Sequence, residues 1–155
     1  MTARLVVALH CFSRYCEKSG LHHREIDAFV EDLWEFPIVD HHRWDEWENH
    51  HPPLVNTALG DPWPSGFDEF LISREMNPIE FRRLLGDVAD IVFSSFYGAA
   101  DDLFSLACLS RVLQVTTDVG VVPPLLAVFE GSRFTDRGGW GKRTTIVERD
   151  TWRAV

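Results

Sequence analysis

Apolar residues recur every three or four positions in the first part of the chain, which is the spacing of one helix face. The first stripe comprises Leu5, Ala8, Leu9, Phe12, Tyr15 and Cys16. Gly20 follows this stripe and predicts the end of the first helix. A second stripe predicts a helix from about Arg24 to Phe36, which Pro37 ends. Its apolar members are Ile26, Phe29, Val30 and Leu33.

Prolines divide the middle of the chain. Asp40 is a suitable cap for a short helix that reaches His50 at the latest, because Pro52 and Pro53 follow. Residues 58–66 contain two prolines and two glycines around a tryptophan. This composition predicts an ordered loop whose indole packs into the core.

Longer helices are predicted in the second half. A helix over residues 67–76 is followed by NPIE at 77–80, a strong start signal for a helix that runs to about Phe96. Its expected buried residues are Ile79, Leu84, Val88, Ile91, Val92 and Phe96. The next helix should run from position 101 or 102 to about 115. Both are apolar nearly all round at their centres, so we expect them to form the buried pair of the domain.

The C-terminal part predicts short elements around an irregular segment. Pro124 favours the start of a short helix, with a strand as the alternative, and residues 131–143 form a basic, glycine-rich loop. Thr145 and Glu148 have the spacing of a capping box, which predicts a last helix. Residues 1–155 therefore predict one all-α domain, a bundle of six to eight helices with an irregular glycine-rich segment near the C-terminus.

Negative charge is concentrated in residues 25–51. Nine carboxylates there face a single arginine, Arg43, so this stretch carries about −8 of a formal chain charge of −9. Trp34, Trp44 and Trp47 lie among the acids, together with four histidines. Phosphate backbones and anionic lipid repel such a surface. We therefore expect a basic protein partner and no direct binding to nucleic acid or membrane.

Cysteine usage and the N-terminus indicate the compartment. Cys11, Cys16 and Cys108 have no CxxC spacing and are interpreted as small buried groups in a reducing environment. We expect no signal peptide and no membrane span, since the uncharged runs are shorter than the ~20 residues that a span requires. The expected location is cytoplasmic.

A metal site is the sharpest catalytic hypothesis. His42, Glu46 and His50 stand at i, i+4 and i+8, so one continuous helix would place them on the same face. These residue types bind zinc, which makes a metal-dependent helical enzyme the alternative function. The HExxH order of zinc proteases is absent, and so are nucleophile-elbow and phosphate-loop motifs. Our main interpretation is a protein that is not an enzyme and carries no cofactor.

The acidic and aromatic stretch predicts an interaction surface. Trp44 and Trp47 are three positions apart and can share a helix face, which neighbouring carboxylates would rim. An aromatic surrounded by acids suits a basic protein, because the ring supplies a hot spot and the acids supply steering. The alternative is a solvated acidic face with its tryptophans in the core. The candidate partner-binding residues are Glu31, Asp32, Glu35, Asp40, Trp44, Asp45, Glu46, Trp47 and Glu48.

In size, acidity and helical pattern, the chain resembles bacterial immunity proteins of contact-dependent and polymorphic toxin systems. These small cytosolic antidotes bind the toxic domain of a cognate effector, often a basic nuclease, and block its active site. The resemblance implies an antitoxin role and assigns no role to any single residue. A third possibility is a partner that homodimerises through exposed tryptophans.

Overall fold

The computed structural model describes residues 2–39, 43–97, 103–125 and 145–154, and these ranges form eight α-helices and no strand. In chain order the helices are α1 (Thr2–Lys18), α2 (Arg24–Glu35), α3 (Trp44–Glu48), α4 (Pro53–Ala58), α5 (Phe67–Ser73), α6 (Pro78–Tyr97), α7 (Leu103–Asp118) and α8 (Ile146–Arg153). The all-α prediction is confirmed. Within the described ranges, none of these helices combines the length and apolar character needed to cross a bilayer.

The core forms around α1, which is buried along most of its length. Phe12 at its middle lies edge-to-face against Phe29 of α2, with ring centroids 5.4 Å apart. The same ring lies 6.0 Å from Phe81 of α6. Burial of each large apolar side chain stabilises the fold by about 1.5–3 kcal/mol. Among the described helices, α6 and α7 pack against each other most extensively, as predicted, but α1 is more deeply buried than α7.

Two predicted burial assignments are wrong. α7 faces its neighbours with a stripe of mostly small or polar side chains, while Leu103 and Phe104 are 77% and 52% exposed. Apolar residues occupy both sides of this helix, so its pattern did not reveal which side packs. Ile79 is 65% exposed, because it lies about 200° around α6 from the buried Phe81. The inward stripe of α7 is Ser105, Cys108, Val112 and Thr116.

The short helices differ from their predicted bounds. α3 covers only 44–48 of the predicted 40–50 helix. Pro53 starts α4 instead of only ending a helix, since proline is favourable at the first helical position. α5 stops at Ser73 because Glu75 takes a left-handed conformation, with φ at 57°. The amide of Met76 then closes the helix end by donating to the carbonyl of Leu71.

The remaining local predictions have three outcomes: one is confirmed, the helix start at Pro124 is wrong, and others lie outside the described residues. The loop before α5 packs Trp63 against Phe67, with ring centroids 5.4 Å apart, as predicted. Pro124 and Leu125 are not helical. The remainder of that predicted element and the glycine-rich segment 131–143 lie outside the described ranges.

Candidate functional site

α2 presents carboxylates around a helix whose inner face is apolar. The buried residues of this helix are Ile26, Phe29, Leu33 and Trp34. Glu31 and Glu35 lie one turn apart on its exposed side, whereas Asp32 is half-buried. The acidic stretch therefore separates into outer carboxylates and an inner one.

Trp47 is the anchor that holds α3 to α2. Its side chain is buried, at 8% exposure, and its indole Nε1 donates a hydrogen bond of 3.1 Å to the Asp32 carbonyl. The ring stacks on Phe93 with centroids 5.6 Å apart and packs against Phe36 at 5.4 Å. This corrects the expectation that Trp47 faces a partner. A helix of a turn and a half has few apolar residues, and α3 uses this one to reach the core.

The Asp32 side chain also forms an internal contact, with His51. The Nδ1 of His51 lies 2.9 Å from its Oδ2, and the two side chains are only 4% and 14% exposed. The imidazole stands edge-on to Trp47 and Phe93, with centroid separations of 4.6 and 5.3 Å. In the described residues its Nε2 has no hydrogen-bond partner. Asp32 therefore fixes the segment after α3 and is a poor contact for another protein.

The other carboxylates of α3 remain on the surface. Asp45, Glu46 and Glu48 are all exposed, because the buried Trp47 takes the inner side of this short helix. Arg43 donates from Nε to Glu46 Oε2 over 3.2 Å, and both side chains are largely in solvent. A solvated pair of this kind contributes little energy and is readily exchanged for another. These three acids are accessible to a partner, while Asp40 and the Trp44 side chain lie outside the described part.

α8 pairs with the outer carboxylates of α2. Arg149 donates to Glu35 Oε1 at 2.7 Å, and its side chain is 13% exposed. Arg153 binds both carboxylate oxygens of Glu31, and its guanidinium lies 5.9 Å from the centre of the Trp34 ring. These pairs span more than a hundred positions in sequence. The only sequence signal for them is the excess of basic over acidic residues after position 130.

A polar cleft of about 350 Å³ opens between α1, α2 and α8. Its lining includes His10, Arg14, Asp27, Trp34 and Arg153. His10 is 9% exposed, and within the described ranges no hydrogen bond reaches its ring. Burial lowers the pKa of His10, and the charge of Arg14 lowers it further, so the neutral ring predominates near pH 7. Sequence patterning missed this cleft because its walls come from three separate helices.

The helical stripe of the metal hypothesis is not formed between Glu46 and His50. α3 ends at Glu48, and the His50 Nδ1 lies 2.8 Å from the backbone oxygen of Glu46 rather than beside its carboxylate. His42 lies outside the described ranges. Among the described residues, no group of three or more potential ligands could hold a metal ion.

No protein-family model matches the chain, and no curated protein or solved structure shows significant similarity to it.

Proposed function

We propose that the chain is a cytoplasmic immunity protein that binds a basic toxin domain, such as a nuclease, and occludes its active site. The observation that carries this proposal is the group of solvent-exposed carboxylates on α3. Asp45, Glu46 and Glu48 are exposed on a helix that is held firmly to the core. In this role the chain binds and blocks, and does not catalyse.

Rigid mounting of α3 favours binding. The indole of Trp47 and the imidazole of His51 both contact Asp32 of α2, so α3 and the segment after it are fixed at two points. Acids on a fixed helix lose little conformational freedom when a partner binds, which preserves affinity. They would pair with the cationic groups that a nuclease uses for phosphate.

Electrostatic steering supplies the second part of the proposal. The carboxylates of α3 belong to the stretch that carries most of the chain charge of −9. Crowded charge of one sign raises the association rate with an oppositely charged protein by roughly 10- to 1,000-fold at low salt. An antidote benefits from this speed, because it must capture the toxin before the toxin acts.

The test uses the toxin domain encoded by an effector gene next to that of this chain. Surface plasmon resonance measures the association rate between the two proteins at low and high salt. We expect the native chain to bind and to inhibit the toxin. Replacement of Asp45, Glu46 and Glu48 by lysine should slow association at least ~10-fold at low salt. High salt should slow association of the native chain and narrow the difference between the two proteins.

A matched control reverses three exposed acids elsewhere, Glu69, Glu75 and Asp118. It changes the net charge by the same amount, so it should keep most of the affinity if the α3 carboxylates are the contact. If both triple variants lost the same amount of affinity, net charge and not the position of the α3 carboxylates would explain the loss. Full affinity in the α3 variant would remove this surface from the proposal.

A further inference from the structure

The cleft between α1, α2 and α8 is lined by a histidine ring that is available for a hydrogen bond. His10 forms its buried wall, is more than nine-tenths buried, and within the described ranges receives no hydrogen bond. A ring nitrogen that faces a cleft without a partner can form a hydrogen bond with a molecule that enters the cleft. The cleft volume of about 350 Å³ lies within the ~300–1,000 Å³ typical of ligand pockets.

The charge of the cleft depends on α8. Glu17, Asp27 and Glu31 line it, and they face the cations Arg14 and Arg153. Removing Arg153 with its helix leaves three carboxylates against one arginine. The emptied cleft would then favour a cationic group, which could also donate a hydrogen bond to the neutral His10 ring.

α8 is attached in a way that suits displacement. None of its residues belongs to the buried core, and its arginines pair with Glu31 and Glu35, although the Arg149 side chain is only 13% exposed. A capping box at Thr145 and Glu148 stabilises the helix locally, independently of the core. Trp152 is partly buried and packs against the core. α8 is thus a preformed helix held by two arginine–glutamate pairs and by the packing of Trp152.

We propose that this cleft and the adjoining outer face of α2 form a docking site for an arginine-bearing helix of a basic partner protein, and that α8 occupies the site in the free chain. Arg153 stands at the rim over Trp34 and against Glu31, where an arginine of the partner would bind. Displacement of α8 would free Glu31 and Glu35 from their arginines and add them to the exposed carboxylates of α3. This inference rests on the proposed function only for the identity of the partner, a basic toxin domain.

The experiment uses the full-length chain and a labelled peptide of residues 145–155 as the probe. In the native chain α8 competes at millimolar effective concentration, so the peptide should bind weakly. The variant Arg149→Glu/Arg153→Glu repels its own α8 from α2. We expect this variant to bind the peptide at least about tenfold more tightly, measured by fluorescence anisotropy.

Two further variants make the result specific. The control Arg74→Glu/Arg83→Glu changes the same charge at exposed arginines elsewhere and should bind like the native chain. Adding Glu31→Gln to the released variant should abolish the gain, and peptide binding should shift the imidazole NMR signals of His10. Circular dichroism checks that each variant is folded.

No gain in the released variant, or a gain that survives Glu31→Gln, would overturn the proposal. Peptide binding without any toxin binding would leave the docking site standing and refute the immunity role. Toxin binding that depends on α3, without peptide binding, would support the immunity role and refute the docking site.

Discussion

His10 and His51 are both buried, but they have different surroundings. The Nδ1 of His51 pairs with Asp32, and its ring is enclosed by aromatic side chains, so this residue helps to hold α3 in place. His10 faces a polar cleft and has no hydrogen-bond partner in the described ranges. In the described ranges both rings keep a nitrogen without a partner, but that of His51 is enclosed in the core, whereas the His10 ring faces a cleft that another molecule can enter. This difference is why the cleft, and not the aromatic cluster, is the better candidate for a ligand.

The lowered pKa of His10 predicts an acid-sensitive fold. Burial, followed by the charge of Arg14, disfavours protonation in the folded chain, so the unfolded chain binds that proton more readily. The contribution of the neutral ring to stability is complete above the ordinary histidine pKa of about 6.5 and is lost as the pH falls towards the lowered folded value. His10→Gln should therefore lose less stability between about pH 7 and pH 5 than the native chain. Urea unfolding at both pH values measures this, and equal losses would contradict it.

Two helix starts, those of α6 and α8, were predictable because their signals are local. Thr145 and Glu148 form the capping box that their spacing predicted, and the Asn77 side chain accepts a hydrogen bond from the amide of Ile79 at the start of α6. Helix faces were harder to predict. α7 carries apolar residues on both sides, so only its neighbours decide that Cys108 turns inwards and Leu103 outwards.

The candidate site was predictable only in part. Crowded carboxylates in residues 25–51 are visible in the sequence, but their different environments are not. Asp32 contacts His51 from 19 positions away, and Arg153 reaches Glu31 across 122 positions. No periodic pattern encodes such distant pairs. The exposure of Trp47 was likewise undecidable, because an indole beside acids is equally compatible with a core anchor.

Gly86 offers a direct test of helix packing in α6. A Cβ built at this position meets only the Ala58 carbonyl oxygen at 3.8 Å, an ordinary van der Waals contact. Glycine inside a helix costs about 0.5–1 kcal/mol relative to alanine. Gly86→Ala should therefore raise the free energy of unfolding by about that amount in a urea titration. The contrasting control is Gly20→Ala, which should destabilise the chain, because Gly20 has a φ of +65°.

At the scale of the whole molecule, one charge imbalance acts in two ways. The formal charge of −9 repels itself across the folded chain and favours basic partners. Part of that charge is already neutralised internally, where Arg149 and Arg153 lie on α2. The acidic surface thus has an exposed part on α3 and a part on α2 whose carboxylates pair with the arginines of α8. A partner that displaced α8 would meet both.

Salt should affect the self-repulsion of the folded chain and the attachment of α8 in different ways. The core is held by apolar burial, so screening mainly relieves self-repulsion, and we expect the urea midpoint to stay constant or rise between about 20 mM and 0.5 M sodium chloride. α8 has no buried residue and depends on its arginine–glutamate pairs, which the same screening weakens. Its backbone amides should therefore exchange with deuterium faster at high salt, while those at the centre of α6 should not. If exchange in α8 and α6 instead responded to salt alike, ion pairing would not be what holds α8, and Trp152 would be the contact to examine next.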